Sequence, residues 1–358
     1  MAPEMKAQVF YEPGKMKLES IPIPVPAEDE IVVRVKSCGI CGSDVAYYYG
    51  DSSLETDDGK GPLVLGHEFC GEVVQVGPIP EKLGLFQKGD RVVLNPVQYC
   101  NTCEICKRGM SNLCETKTVL GVSVNGGFAE YCLSKYPSLY KIPDNVTYDQ
   151  AAFTEPLACA TYAVLNMDIQ MGDFVVVFGD GAIGAMMLQL IKSSGAGKTV
   201  MVGVHDYRLD VAKQVGADMV LNTRDKGSPD YTTNVKGAID KATGGKLANA
   251  AICATGNVGA METALGVTGR RGRIVYFGLP ADDAVVKIPA LETIFADKSI
   301  RFSWLAPGTW PTALQSLSDA LVDVDILRSH SYKLEDLEAA IAAVKNKTDN
   351  PMKVIVNP

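Results

Sequence analysis

The chain has 358 residues, 47% of them hydrophobic and 21% charged, with a formal net charge of −8. That length leaves room for two domains with separate cores, and the composition is that of a soluble globular protein. The negative charge, with no Lys/Arg-rich run, argues against nucleic acid. The longest apolar stretches, such as 182–191, are far too short to span a bilayer. The opening Met1-Ala2-Pro3-Glu4-Met5-Lys6 lacks the apolar core of a signal peptide, so a cytoplasmic location is expected. The ten cysteines are then thiols or metal ligands rather than disulfides.

From residue 6 to 37 apolar and polar residues alternate in places, as in Val33-Arg34-Val35-Lys36, and 21–26 is Pro-rich. Short strands and turns follow from that pattern. β-like runs continue at 71–77 and 90–94, so the chain to about residue 150 reads as a barrel-like β domain. Within it, Cys41 follows the strand-like Ile31–Lys36, and His67-Glu68 follow Leu63-Val64-Leu65. A thiolate, an imidazole and a carboxylate from separate points suit a catalytic zinc with one open position. A lone histidine is as often structural, so spacing alone leaves this open.

Further on, Cys100, Cys103, Cys106 and Cys114 form C-x2-C-x2-C-x7-C among turn formers. Four thiolates this close can surround one ion tetrahedrally, and no histidine lies nearby. The pattern points to a closed structural zinc site; free thiols, a disulfide or an iron–sulfur cluster are the alternatives.

After Asp149 the pattern changes to strands alternating with helices. Candidate strands are 174–179, 199–204, 218–221, 249–253, 273–277 and 299–303, with helical character between them, as at 209–215. Six strands with helical crossovers imply a doubly wound parallel sheet. The first strand runs into Gly179-Asp180-Gly181-Ala182-Ile183-Gly184. This Gly-x-Gly-x-x-Gly turn follows a β run and opens a helix, in a βαβ unit of about thirty residues, which is the context of a dinucleotide-binding turn. Gly179 permits the turn, Gly181 lets backbone approach a pyrophosphate, and Gly184 lets helix pack on strand. The helix start at Ala182 and Ile183 offers free N–H groups to the phosphates. The tail has an amphipathic helix over 334–344 and a β-like 352–356, expected to return to the first domain.

These motifs together resemble the zinc-dependent medium-chain dehydrogenases, most closely their sorbitol (polyol) dehydrogenase branch. The resemblance rests on Cys38-Gly39-Ile40-Cys41-Gly42-Ser43-Asp44, Gly66-His67-Glu68, the four-cysteine lobe, Gly126-Gly127-Phe128-Ala129-Glu130-Tyr131, Glu155-Pro156-Leu157, the glycine turn and Thr309-Trp310-Pro311. They span nearly the full length in the right order. The resemblance implies a Rossmann nucleotide domain, 156–297, enclosed by a split, mostly β GroES-like catalytic domain, 1–155 plus 298–358. It implies two zinc ions per subunit. Cys41, His67 and Glu68 would hold the catalytic one, with Glu155 beside it. Cys38, Cys70, Cys132, Cys159 and Cys253 are read as small buried residues.

The chemistry implied is reversible hydride transfer between a secondary alcohol and a nicotinamide. Zinc lowers the pKa of the alcohol so that its alkoxide can form. Ser43 matches the family's proton relay, the nicotinamide accepts the hydride, and in reverse a ketone is reduced. Tyr47 sits where the family contacts substrate, or packs the barrel in the run Tyr47-Tyr48-Tyr49. The resemblance also implies a small alcohol or ketone as partner and a homo-oligomer, dimer or tetramer.

Three departures matter. NAD-using members carry an acidic residue at the end of the second strand; aligning 207–209 puts Gly203 there. Losing that carboxylate removes the repulsion against a 2′-phosphate, and His205 and Arg208 lie just beyond it. NADP is therefore the expected cofactor, with NAD the alternative. Asp206 falls three residues late for a ribose ligand and reads as a helix cap. Ala46 stands where many polyol enzymes have a relay histidine. Leu305 stands where the polyol branch has a substrate-gripping arginine, so the pocket is less polar than a sorbitol site. Threonine-type and butanediol-type dehydrogenases share the same zinc residues. A non-catalytic nucleotide-binding relative would be expected to have lost Cys41, His67 or Ser43, and all three are present.

Overall fold

The computed structural model describes residues 3–52 and 61–358; Met1 and Ala2 of the opening stretch lie outside the described residues. The N-terminal segment supplies β1 (Glu4–Glu12), β2 (Lys15–Pro22), β3 (Glu30–Gly39), β4 (Leu63–Val64), β5 (Glu68–Val76), β6 (Arg91–Leu94), β7 (Val97–Gln98), β8 (Thr118–Val119), β9 (Tyr131–Lys135) and β10 (Leu139–Lys141). The alternating middle of the chain supplies β11 (Phe174–Phe178), β12 (Lys198–Gly203), β13 (Met219–Asn222), β14 (Ala248–Cys253), β15 (Thr268–Tyr276) and β16 (Ser299–Phe302). The tail ends in β17 (Arg328–Lys333) and β18 (Lys353–Asn357).

Two compact units result: Met1–Pro156 with Trp310–Asp319 and Arg328–Pro358, and Leu157–Thr309 with Ala320–Leu327. The first holds a seven-stranded sheet in the order β10-β6-β5-β3-β18-β17, with β9 also on β3, and a three-stranded sheet β2-β1-β4. β3 is the hub. It pairs antiparallel with β5, with β9 along Glu30–Arg34, and with β18 at Cys38 and Gly39. Its apolar residues Ile31, Val33 and Val35 join Phe69, Phe128 and Val356 in one core. The expected return of the tail therefore occurs, as the strand beside β3.

The second unit holds a parallel six-stranded sheet in the order β13-β12-β11-β14-β15-β16. All six expected strands are present, each within a few residues of the reading. Their near-continuous apolar runs reflect burial on both faces; Val175, Val176 and Val177 of β11 are fully buried. The sheet extends through residue 302, past the boundary at 297 read from the sequence. The helix expected over 209–215 starts earlier, at Asp206, and ends at Gln214. The tail's 334–344 helix is a 3-10 turn, Leu334–Asp336, followed by an α-helix, Leu337–Asn346. A second tail helix, Trp310–Ser318, escaped the sequence reading. Among the described residues no helix is long and apolar enough to cross a membrane.

Candidate functional site

The first unit brings Cys41, His67 and Glu68 together: their ligand atoms lie within 4.8 Å of one another. Cys41 is the N-cap of the helix Gly42–Tyr49, which starts where β3 ends. In its first turn, where a negative charge is favoured, Asp44 is buried. It accepts hydrogen bonds from the Cys41 amide (2.8 Å) and the Gly66 amide (3.2 Å). Its other contact is the His67 ring, with Nδ1 3.4 Å from Oδ1. One carboxylate thus fastens both ligand-bearing segments.

A carboxylate only accepts, so a proton on Nδ1 would face Asp44 and leave Nε2 to serve as a ligand. Burial opposes a charge on His67, but Asp44 and then Cys41 raise its pKa well above the usual value. A cation at Nε2 would displace that proton. Ser43 Oγ lies 3.4 Å from Nε2, within reach of whatever binds there.

Glu68 opens β5, buried beneath Gly39, whose position has no room for a Cβ because the Glu68 carboxylate fills it. Lys353 of β18 forms an ion pair with Glu68 and donates to the Ile40 carbonyl at 3.1 Å. Burial opposes the charge on Lys353, yet Glu68, ahead of Cys41, raises its pKa. A thiolate, an imidazole and a carboxylate so placed fit an open zinc site. Glu155 lies outside this tight set, in the first turn of the helix Thr154–Leu165, and its charge bears on Lys353. Tyr47 is buried in the core of the same unit with Val45 and Phe128.

Cys100, Cys103, Cys106 and Cys114 form the second cluster, again with all four sulfurs within 4.8 Å. The Cys103 amide donates to Cys100 Sγ (3.3 Å) and the Cys106 amide to Cys103 Sγ (3.4 Å). Those amides pull the loop around the sulfurs. With the Cys103 amide the leading cause, the Cys100 pKa falls to about 5; burial, then Cys103, pushes Cys106 up to about 12. Four sulfurs this close with no imidazole fit a closed zinc site. All ten cysteines are free thiols. Cys38, Cys70, Cys132, Cys159 and Cys253 are buried, as read from the sequence.

In the second unit the glycine turn joins β11 to the helix Ala182–Ser193. Gly179 has φ +111°, a conformation that favours glycine, and donates to the Val202 carbonyl at 2.9 Å. Gly181 is the helix N-cap and makes no side-chain cap. A Cβ there would meet nothing within 4 Å, so backbone borders open space, as a pyrophosphate requires. At Gly184 a Cβ would collide with the Gly179 carbonyl oxygen. Ala182 and Ile183 fill the first turn, both half-buried.

Gly203 closes β12 and His205 is the N-cap of the helix Asp206–Gln214. The Asp180 carboxylate, in the middle of the turn, reaches the end of β12. It accepts from the Val204 and His205 amides, both at 2.8 Å, and lies 3.3 Å from His205 Nδ1 and 3.9 Å from Arg208 Nη1. Burial lowers the His205 pKa; Asp180 opposes the shift, and Arg208 and Arg224 reinforce it. Asp206 does not cap its helix: its carboxylate accepts from Asn222 Nδ2 at 2.6 Å. Asp180, Gly203, Val204 and Arg224 line a cavity of about 910 Å³.

Sequence reasoning missed Asp44, Gly39, Lys353 and Asp180. Asp44 carried a signal, since an acidic residue three places after a helix N-cap has the capping-box spacing. Lys353 carried none.

Residues 27–144 match the Alcohol dehydrogenase GroES-like domain and residues 182–319 the Zinc-binding dehydrogenase family. The sorbitol dehydrogenase of Bacillus subtilis (strain 168) is 30% identical over 357 residues, 99% of this chain and 97% of that protein. A structure from Sinorhizobium meliloti 1021 bound to NADP superimposes with a TM-score of 0.89 at 25% identity, covering 99% of this chain and 100% of that one. An alcohol dehydrogenase of E. coli CFT073 complexed with NADH superimposes with a TM-score of 0.88 at 28% identity, covering 99% of both chains.

Proposed function

Because this chain belongs to the zinc-binding alcohol dehydrogenases, in the sorbitol (polyol) dehydrogenase branch, we propose that it reversibly transfers a hydride between a secondary alcohol, a polyol or diol, and a nicotinamide dinucleotide. The observation that carries the reading is the convergence of Cys41 Sγ, a His67 ring nitrogen and a Glu68 carboxylate oxygen within 4.8 Å. Zinc held there supplies a Lewis acid that makes the alcohol easier to deprotonate. The four-cysteine lobe would hold a second, structural zinc. Ser43, 3.4 Å from His67 Nε2, would relay the alcohol's proton, accepting it while passing its own hydroxyl proton to water. Asp44 holds His67 in the tautomer that presents Nε2. Lys353 pairs with Glu68 and fixes where its carboxylate points. Glu155 tunes the charge around Lys353.

The glycine turn, with open backbone at Gly181 and unfilled amides at the helix start, supports binding of the dinucleotide pyrophosphate. The missing side chain at Gly203 supports NADP. The Asp180 carboxylate at that same strand end outweighs this and favours NAD. Leu305 in place of an arginine leaves butanediol-type and threonine-type substrates beside sugar alcohols. Ten free thiols suit a reducing cytoplasm. The oligomer we place on the apolar edge around β16, where Leu291, Ile294, Phe295 and Phe302 are exposed.

A panel of polyols, vicinal diols and threonine, followed by the change in reduced-nicotinamide absorbance, tests the activity. Cys41→Ser and His67→Ala are expected to abolish turnover while cofactor binding by calorimetry persists. Retained turnover in either variant sinks the zinc reading.

A further inference from the structure

We infer that Asp180 sets cofactor discrimination: its carboxylate occupies the place that would receive a 2′-phosphate and selects the unphosphorylated ribose. This rests on the proposal that the glycine turn binds a nicotinamide dinucleotide. Asp180 is only 6% exposed, yet it lines the cavity beside that turn. Its side chain needs Gly203: a Cβ at 203 would stand 2.6 Å from both Cβ and Oδ2 of Asp180. The two positions thus share space for one carboxylate. Where an acidic residue at the second strand's end is the usual ribose reader, this chain delivers the charge from the turn instead.

The partners of Asp180 strengthen the case. The amides of Val204 and His205, the obvious donors to an incoming anion, already serve this carboxylate. His205 and Arg208 therefore do not form a waiting phosphate clamp, because Asp180 faces both at 3.3 and 3.9 Å. The carboxylate also fixes the imidazole. Nδ1 must donate to it, so in the neutral ring Nε2 keeps its lone pair, and that atom is buried with no partner. A lone pair beside a carboxylate repels a phosphate and welcomes a hydroxyl donor. Removing the negative charge would release Arg208 to attract a phosphate, with Arg224 also on the cavity wall.

Calorimetric titration of NAD⁺ and NADP⁺ into the zinc-loaded wild type and Asp180→Asn tests this without turnover. Asparagine keeps an acceptor for the two amides, so the turn should hold its shape, which thermal melting checks. The wild type is expected to bind NAD⁺ more tightly. In Asp180→Asn the ratio of the two Kd values should move toward NADP⁺ by about tenfold or more, the scale of one like charge removed at close range. Asp180→Ala should move it the same way. A ratio that changes by less than about twofold in both variants, with both cofactors still bound, overturns the role of Asp180 alone. Failure of the wild type to bind either cofactor overturns the dinucleotide reading as well.

Discussion

Among single residues, the Glu68–Lys353 pair carries the largest electrostatic stake. Both side chains are buried, 2% and 7% exposed, so each pays heavily for its charge unless the other is present. Lys353→Met should therefore cost the metal-stripped protein about 3 kcal/mol or more, read as a fall in urea midpoint, because it strands a buried carboxylate. Adding Glu68→Gln should recover much of that loss. A double variant no more stable than Lys353→Met would show that packing, not charge, decides. The four-cysteine lobe was legible because its spacing is short, whereas Cys41 and His67, far apart in sequence, were assigned as ligands only through the family resemblance. Lys353, Gly39 and Asp180 were not legible. Each matters only through a neighbour that the fold supplies: Glu68 for the first two and the end of β12 for the third.

Element by element, the parallel strands were readable because burial on both faces writes them as apolar runs. Their ends were less so, since a strand stops where its partner stops: β15 starts at Thr268 because it pairs there with Ala248. The helix Trp310–Ser318 buries Trp310, Ala313, Leu314 and Leu317, a helical i, i+3, i+4, i+7 stripe. The signal was present, but Pro311 next to its start looks like a breaker, although proline is tolerated in a first turn.

Asp218 joins the glycine-turn helix to β12. It accepts from the Thr199 amide at 2.8 Å and pairs with Lys192 at 3.1 Å. Burial opposes its charge, but the Thr199 amide and Lys192 hold its pKa below the usual 3.8. A depressed carboxylate pKa stabilises the fold above the unfolded value, and that contribution fades as pH falls through the folded one. Acid melts below about pH 4 should thus be less steep in Asp218→Asn than in the wild type; parallel curves would deny the link. In the cysteine lobe, Cys103→Ser should lower the melting temperature and reduce bound zinc from two ions to one, by metal analysis. A variant that keeps both ions would place the second zinc elsewhere.

For the whole molecule, Phe302 is 77% exposed on β16, the edge strand of the parallel sheet. An apolar edge strand left bare invites pairing with another chain. Phe302→Glu should therefore lower the mass seen by light scattering, whereas an unchanged mass moves the oligomer contact to another face.

The position of β18 has a consequence for how a newly made molecule acquires its metals. Glu68 meets its counter-ion only through Lys353, 285 residues later. The ribosome must finish almost the whole polypeptide before this centre can close. Cys100 to Cys114, by contrast, emerge together and can wrap an ion while synthesis continues. Were both sites to take zinc, the lobe would be able to fill first, and the centre at Cys41, His67 and Glu68 would be complete only once β18 has docked beside β3.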